Sequence, residues 1–361
     1  MKHVWTDNLR NVEPYVPGEQ RKKKNIIKLN ANENPYPPSP KVFEAIRRFD
    51  CASLKLYPDA NAAEFKAAIA AYYGVKKENV FIGNGSDDVL ALSFQTFFNS
   101  NIPIAYPDIT YSFYPVWCEL FGIPYKTYPL GEDFRIRIED YRAENGGVVI
   151  PNPNAPTSLG EGRAFIEKLM EYNRDCVVII DEAYVDFGGY SSTELTKKYE
   201  NLLVTATFSK SRSLAGMRIG YAIGSEKLIS ALEAVKNSYN SYTVNSLAMA
   251  AGTAAINDVA YFKETVSKVI KTRERVKSEL KDLGFEVLDS QTNFLMAAHP
   301  NKDMKEYFEY LKAQKVFIRY FNKPRINKYV RITIGTDEEM DIFLDKTKAE
   351  KQPNKEKNHT C

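Results

Sequence analysis

Short apolar segments alternate with helical patterns between residues 80 and 224, and this alternation constrains the fold more than any other feature of the sequence. The segments read VFIG, IPIAY, IPYKTYPL, VVIP, CVVIID, NLLVTATF and RIGYAIG. Strands that alternate with helices form a mostly parallel sheet with helices on both faces. Ligands of such sheets bind beyond the carboxyl ends of the strands. We therefore predict an α/β fold with a binding site at that edge.

The length of 361 residues indicates a large domain and a smaller one, because a single core rarely grows past ~250–300 residues. Near residue 240 the alternation gives way to small apolar residues and then to a long charged helix, predicted over 259–283. The predicted units are an N-terminal arm (1–30), a large domain (31–249), a small C-terminal α/β domain (250–345) and a lysine-rich disordered tail (346–361).

Composition argues against several classes of partner. The net charge of +3 is too small to indicate binding to nucleic acid or to an anionic membrane. No apolar run approaches the ~18 residues of a membrane span, and the start MKHVWTDNLR lacks the apolar stretch of a signal peptide. The four cysteines show no CxxC spacing, which favours free thiols in a reducing compartment. We predict a cytoplasmic protein without nucleic-acid or membrane partners.

A lysine and an arginine follow the segment NLLVTATF, in the sequence TFSKSRSLAGMR. Lys210 lies at the exit of this predicted strand, and Arg218 lies eight positions later. An amine at the end of a buried strand suits covalent chemistry with a carbonyl group. A solvated loop is the alternative interpretation of the same residues.

Two other strand ends carry polar motifs. In GNGSDD, residues Gly85, Ser86 and Asp87 form a glycine turn that opens a helix, which suits a phosphate group or is an ordinary helix cap. In DEAY, Asp181 follows a buried strand and needs a cationic or N–H partner. That partner could be the protonated ring nitrogen of a pyridine cofactor, with Tyr184 donating to the cofactor's phenolate oxygen. A structural ion pair or a metal carboxylate is the alternative.

The chain contains three histidines, too few and too scattered for a His-rich metal site or a Ser-His-Asp triad. We therefore predict no metal. Arg331 in YVRITIG and Arg319 in VFIRYF lie within apolar segments, where a guanidinium needs an acidic partner. Either a ligand carboxylate or phosphate, or an internal salt bridge, meets that need.

An aspartate at a strand end, a lysine about thirty residues later and an arginine eight residues beyond it resemble the fold-type-I pyridoxal-phosphate enzymes of the aspartate aminotransferase superfamily. Within it, the chain resembles the histidinol-phosphate aminotransferase family of class-II aminotransferases over about residues 10–345. The motifs that carry this resemblance are LNANENPYPPSP, LYPD, GNGSDD, PNPNAPTS, DEAY, TFSKSRSLAGMRIG and YVRITIGT. The resemblance implies a large domain with a mostly parallel seven-stranded sheet and a smaller α/β C-terminal domain.

The resemblance also implies roles around pyridoxal 5′-phosphate. Lys210 would bind the cofactor covalently and move the proton between the substrate α-carbon and the cofactor's C4′. Asp181 would pair with the pyridine nitrogen, Tyr184 with the 3′ oxygen, and Tyr111 would stack on the ring. The residues implied for the cofactor phosphate are Gly85, Ser86, Asp87, Thr207, Ser209 and Arg218.

Substrate and subunit contacts follow from the same resemblance. Arg331 would bind the carboxylate of the amino-acid donor. Arg319, with Tyr36, would lie near the phosphate of the other substrate. Tyr57 would reach the cofactor phosphate of the neighbouring subunit, which implies a homodimer with shared sites.

The chain departs from the superfamily pattern in one motif. Ala155 occupies the position where the superfamily has an asparagine that bonds to the 3′ oxygen, and Ser158 replaces the usual glycine. We assign the contact with the 3′ oxygen to Asn154, with Asn152 as the alternative.

The function implied is transfer of the amino group of L-histidinol phosphate to 2-oxoglutarate, giving imidazole acetol phosphate and L-glutamate in histidine biosynthesis. A threonine-phosphate decarboxylase or an aromatic amino-acid aminotransferase of the same fold is the alternative. A ligand-sensing half of a regulator would carry a fused DNA-binding domain, for which the predicted arm is too short. A nucleotide-dependent oxidoreductase would need a GxGxxG turn, which GNGSDD does not match.

Overall fold

The computed structural model describes residues 5–15 and 26–350, and a seven-stranded sheet forms its centre. The strands are β1 Ile27–Lys28, β2 Val80–Gly83, β3 Ile104–Pro107, β4 Tyr125–Tyr128, β5 Gly147–Pro151, β6 Val178–Asp181, β7 Leu202–Thr207, β8 Gly220–Ile223, β9 Glu286–Val287, β10 Phe294–Ala298, β11 Val316–Phe317, β12 Arg319–Tyr320 and β13 Val330–Thr333. The α-helices are α1 Pro40–Arg48, α2 Ala63–Tyr73, α3 Ser86–Phe97, α4 Phe113–Phe121, α5 Arg163–Tyr172, α6 Glu226–Tyr239, α7 Ser246–Asn257, α8 Val259–Asp282, α9 Met304–Ala313 and α10 Asp337–Ala349.

The large sheet has the strand order β2-β8-β7-β6-β5-β3-β4. Strand β8 runs antiparallel to both of its neighbours, and the other pairs are parallel. The prediction of a mostly parallel seven-stranded sheet is therefore confirmed. In the register, Asp181 pairs with Pro151 on one side and with Thr205 on the other, so the carboxyl ends of β5, β6 and β7 meet at one edge.

Helices cover both faces of this sheet because its strands alternate their apolar side chains between them. Val149, Ile179 and Leu203 pack against α3, α4 and α6 on one face. Their sequence neighbours, such as Ile150 and Ile180, pack against α5 on the other. Strand β4 lies at the sheet edge and alternates exposed with half-buried residues, as an edge strand with one covered side does.

The second sheet is antiparallel and has the order β12-β13-β10-β9. It packs with α8, α9 and α10 around a separate apolar core. The N-terminal part of the chain joins this core, because β1 pairs with β11 in parallel and Leu29 is buried there. The smaller α/β unit thus includes residues from both ends of the described chain.

Several predicted elements have close counterparts. The long helix predicted over 259–283 is α8, and the capping box that joins Thr336 to Glu339 opens α10. The predicted domain boundary at residue 250 falls within α7, a helix that packs on α1 and α2 of the large unit. The predicted tail begins at residue 346, yet α10 continues to Ala349, so its first residues are helical; residues 351–361 lie outside the described part.

Among the described residues, none of the helices combines the length and the apolar character that crossing a bilayer requires.

Candidate active site

A cavity of about 310 Å³ lies between the carboxyl edge of the large sheet and the small sheet. Loops after β2, β5, β6 and β7 reach it from one side, and β12 and β13 reach it from the other. The structure brings eleven of the predicted site residues to its wall: Ser86, Asp87, Tyr111, Asp181, Tyr184, Thr207, Ser209, Lys210, Arg218, Arg319 and Arg331. These residues come from distant parts of the chain, so their convergence is a property of the fold.

Lys210 presents its amine to the cavity. Its Nζ donates to the carbonyl oxygen of Ala31 at 3.3 Å and lies 5.6 Å from the ring centre of Tyr184. The side chain of Asn34 donates to the carbonyl oxygens of Lys210 and Ser211, at 3.0 and 3.3 Å. These bonds fix the backbone at the end of β7, so the amine has a defined position rather than that of a solvated loop lysine.

Asp181 is 5% exposed at the end of β6. Burial raises the pKa of its carboxyl group to about 6, against the lowering effect of hydrogen bonds from Tyr114 and from the backbone of Ala183. Tyr114 Oη donates at 2.9 Å and the Ala183 N–H at 3.2 Å. Within residues 5–15 and 26–350, no Lys, Arg or His side chain forms an ion pair with this carboxylate. A cationic ring nitrogen of a ligand fits here, since it would offset the cost of burying the charge.

The opposite end of the cavity suits a phosphate group. Helix α3 begins at Ser86 behind Gly85, which has a φ of 90° and gives no side-chain cap. The first two residues of the helix, Ser86 and Asp87, line the cavity. Arg218 lies against this turn: a Cβ on Gly85 would stand 2.5 Å from its Nη2. The hydroxyls of Thr207 and Ser209 are 2.9 Å apart beside it. A helix N-terminus, a guanidinium and two hydroxyls together match the charge and acceptors of a phosphate.

Two tyrosines, Tyr111 and Tyr184, also line the cavity. Tyr111 donates to Asp87 at 2.7 Å, and burial raises the pKa of the Tyr111 hydroxyl. Tyr184 packs edge-on against Phe294 of β10, with ring centres 5.1 Å apart, and receives a hydrogen bond of 2.9 Å from Asn32.

Arg319 and Arg331 face each other across β12 and β13 and line the same cavity. Both guanidinium groups lie 5.4 Å from the ring centre of Phe321. Arg331 Nη2 donates to the carbonyl oxygen of Asn30 at 3.1 Å, while its buried Nε has no hydrogen-bond partner. Burial, and then the charge of Arg319, lowers the pKa of Arg331. No carboxylate in the described chain forms an ion pair with either arginine, so the arrangement fits ligand anions rather than internal salt bridges.

Four predicted residues are not on the cavity wall. Gly85 lies directly behind Ser86, at the cap of α3. Tyr57 is 82% exposed and stacks on Tyr242, with ring centres 4.6 Å apart. Tyr36 is half-buried against the apolar core of the small sheet, with the Nζ of Lys268 5.5 Å from its ring centre.

The fourth is Asn154, which is buried away from the cavity. Its amide donates both hydrogens, to Ile109 O and to Thr157 Oγ1, at 2.9 Å each. The alternative residue, Asn152, is bonded to the backbone of Glu161. Neither asparagine lines the cavity, whereas Ala155 does, and the contact of Asn154 with the 3′ oxygen stays a prediction.

Sequence reasoning missed several residues of the site. Tyr15 lines the cavity from the N-terminal segment and stacks on Phe113, with ring centres 4.1 Å apart. Tyr114 and Asn32 support Asp181 and Tyr184. The motif LNANENP contributes to the family resemblance, but nothing in its residues indicates which distant side chains it contacts.

Comparison with known proteins agrees with this geometry. Residues 24–346 match the family Aminotransferase class I and II, and the chain belongs to that family. At the level of individual relatives, the histidinol-phosphate aminotransferase of Clostridium beijerinckii is 52% identical over 346 residues, covering 96% of this chain and 97% of the relative. That of Acinetobacter baumannii strain SDF is 53% identical over 338 residues, covering 93% and 94%.

Solved structures show the same fold. The histidinol-phosphate aminotransferase of Sinorhizobium meliloti, in complex with pyridoxal-5′-phosphate, matches with a TM-score of 0.80 and 25% identity over 88% of this chain and 89% of that one. The histidinol-phosphate aminotransferase of Clostridium acetobutylicum matches with a TM-score of 0.82 and 24% identity, over 90% and 98%. The chain therefore has the fold-type-I aminotransferase architecture.

The buried carboxyl group gives a prediction about stability without cofactor. The pKa of Asp181 is about 6 in the folded protein and about 3.9 in an unfolded chain, so folding favours the protonated form and stability is lost as the pH rises through this window. Asp181→Asn should raise the free energy of unfolding of the cofactor-free protein by up to about 3 kcal/mol above pH 6 and leave it unchanged below about pH 4. Chemical denaturation across this pH range measures the difference.

The exposed Asp175→Asn is the matched control and should show no such pH-dependent gain. An Asp181→Asn variant that is no more stable than the parent at neutral pH would show that burial of the charge is not costly here.

A second prediction concerns the close approach of β8 to the phosphate end. A Cβ on Gly220 would lie 2.3 Å from the backbone carbon of Gly85 and 2.4 Å from the nitrogen of Ser86, and neither atom can yield easily. Gly220→Ala should displace the start of α3 and weaken cofactor affinity about tenfold or more. Absorbance titration with cofactor measures this. Gly216→Ala, whose Cβ meets nothing within 4 Å, is the control; equal affinity in both variants would contradict the role of this approach.

Proposed function

We propose that the protein transfers the amino group of L-histidinol phosphate to 2-oxoglutarate, giving imidazole acetol phosphate and L-glutamate in histidine biosynthesis. The observation that carries the proposal is a lysine amine in a cavity that has a helix N-terminus, an arginine and two hydroxyls at one end. At the other end lie two arginines that form no ion pair with any carboxylate among the described residues. Near-full-length relatives that are half identical and named histidinol-phosphate aminotransferases support the choice of substrate.

The cofactor is pyridoxal 5′-phosphate. When bound, it supplies an electron sink that stabilises negative charge at the substrate's α-carbon. Asp181 would hold the ring nitrogen protonated, because a buried carboxylate without another cation favours a positive charge beside it. The residues that would hold the cofactor phosphate are the start of α3 at Ser86 and Asp87 behind Gly85, together with Thr207, Ser209 and Arg218.

Lys210 would carry the cofactor covalently and, once displaced by the substrate, move a proton at the α-carbon. The carbonyl oxygen of Ala31 accepts from its Nζ and keeps the amine within the cavity. Tyr111 and Tyr184 flank the region between the ring-nitrogen and phosphate ends, where the ring itself would lie.

The two arginines would recognise the substrate anions. A guanidinium binds a carboxylate or phosphate through parallel hydrogen bonds, and the unpartnered Nε of Arg331 is available for one of them. We assign a carboxylate of 2-oxoglutarate or L-glutamate to Arg331 and the phosphate of histidinol phosphate to Arg319. Tyr36 and Asn154 remain predictions from the sequence, and neither side chain lines the cavity wall.

A homodimer is part of the proposal. Tyr57 lies beside two other exposed apolar side chains, Leu54 and Leu56, and stacks on the half-exposed Tyr242. A group of exposed apolar residues of this kind is typical of a subunit interface. We infer that Tyr57 reaches the cofactor phosphate of the second subunit. A cytoplasmic location is likewise proposed, from the sequence alone.

The function can be tested by single-turnover reactions of the cofactor-loaded protein. Histidinol phosphate should change the cofactor's visible absorbance faster than threonine phosphate or phenylalanine, because it is the only one of the three that combines a phosphate with an imidazole ring. Lys210→Ala should lose the visible absorbance of the lysine-bound cofactor. Release of carbon dioxide from threonine phosphate as the fastest reaction would identify a decarboxylase instead, and fastest turnover of phenylalanine an aromatic aminotransferase.

The shared site can be tested by mixing two inactive variants. In a hybrid of Tyr57→Ala with Lys210→Ala, one of the two sites has both native residues if Tyr57 acts across the interface. Random mixing should then restore about a quarter of the wild-type activity, since half of the dimers are hybrids with one intact site. The control mixture uses Tyr239→Ala, another exposed tyrosine, and should show only the average of its parents. If the mixture of Tyr57→Ala and Lys210→Ala is only as active as the average of its own two parents, Tyr57 does not act in the partner's site.

A further inference from the structure

Three consecutive residues of the N-terminal segment each contact a different side chain of the proposed reaction. The carbonyl oxygen of Asn30 accepts from Arg331, and that of Ala31 accepts from Lys210. The side-chain amide of Asn32 donates to the hydroxyl of Tyr184 at 2.9 Å. Of the three contacts, that of Asn32 is made by a side chain and can be changed by substitution.

The orientation of the Asn32 amide is fixed by its surroundings. Asn32 is 1% exposed and has a φ of 53°, in the left-handed region. Its backbone N–H donates to Thr333 Oγ1 at 3.0 Å, and the same hydroxyl donates back to Asn32 Oδ1 at 3.0 Å. Asn293 Nδ2 donates to the backbone oxygen of Asn32 at 3.0 Å. With Oδ1 held by Thr333, the Nδ2 group is the one that faces Tyr184.

This orientation decides where the tyrosine proton goes. A tyrosine hydroxyl has one proton to donate, and an oxygen that accepts from an amide N–H keeps that proton for another partner. Tyr184 lines the cavity, so the remaining direction for its proton is towards the ligand. A carboxylate in place of the amide would reverse the bond, because it only accepts.

We propose that Asn32 is a positioning residue for the reaction, which holds Tyr184 with its hydroxyl proton directed into the cavity and towards the phenolate oxygen of the cofactor. The inference rests on the proposed role of Tyr184. A hydrogen bond donated to the phenolate stabilises its negative charge and so makes the neighbouring nitrogen, through which Lys210 holds the cofactor, easier to deprotonate.

The test is a pH titration of the visible absorbance of the cofactor-loaded protein, which reports protonation of the Lys210–cofactor linkage. Asn32→Asp should raise the midpoint by about one pH unit, the size of effect expected when one hydrogen bond to a charged oxygen is lost. Tyr184→Phe should raise it similarly. The other titratable groups that line this cavity are unchanged in these variants: Tyr15, Glu33, Asp87, Tyr111, Asp181, Arg218, Arg319 and Arg331.

The Tyr184→Phe background is the matched control, because Asn32→Asp adds the same carboxylate there without a tyrosine hydroxyl to reorient. It separates the effect of added charge from the effect of the reversed hydrogen bond. In that background, Asn32→Asp should raise the midpoint by less than it does in the wild-type background, because only the added charge acts. A rise of the same size with and without the tyrosine hydroxyl would overturn the proposal, as would an unchanged midpoint in Asn32→Asp.

If Asn32→Asp does not fold, Thr333→Val provides the second test, since it removes the hydroxyl that fixes the amide. Its midpoint should rise in the wild-type background and not in the Tyr184→Phe background; equal behaviour in both would again overturn the proposal. Failure of the proposed function has a different signature, because the wild-type protein would then lack the cofactor absorbance that depends on Lys210.

Discussion

A buried carboxylate that forms no ion pair with any cationic side chain of residues 5–15 and 26–350 lies at the end of a central strand, and the proposed site is arranged around it. Asp181 is held by the hydroxyl of Tyr114 and by one backbone N–H, and these bonds only partly offset the cost of removing the charge from water. A cationic ring nitrogen of the cofactor would complete the compensation. The same buried charge would therefore strengthen binding of the cofactor and lower the stability of the protein without it.

The fold separates the parts that supply stability from the parts that supply chemistry. The faces of the large sheet are filled by aliphatic and aromatic side chains, while its carboxyl edge carries the polar loops. The small sheet contributes two arginines from adjacent strands, and no carboxylate of the described chain neutralises them. Different elements therefore position Lys210, the end of the cavity that suits a phosphate, and the two arginines around one cavity.

The location of the site was largely predictable from the sequence. Parallel strands place their carboxyl ends at the same edge of a sheet, so motifs that follow these strands lie close together. Lys210 and Asp181 were expected at this edge for that reason, whereas Arg218 was reached from its spacing to Lys210 and from the family resemblance. Contacts between distant loops were not predictable. The bond from Tyr114 to Asp181 spans 67 residues, and that from Asn32 to Tyr184 spans 152. The contact with the 3′ oxygen is assigned to Asn154 because of its position in the motif PNPNAPTS. In the structure, the amide of Asn154 donates both of its hydrogens, to Ile109 O and to Thr157 Oγ1.

The pairing of β1 with β11 has a consequence for the order in which the protein is completed during synthesis. Residues 27–32 leave the ribosome among the first, but their partners at Val316 and Thr333 are among the last. The large sheet can form from residues 80–224 while the segment that contacts Lys210 and Tyr184 still has no strand to join. Closure of the cavity is therefore a late event, because the nascent chain must extend past Thr333 before residues 27–32 can take their places beside the site.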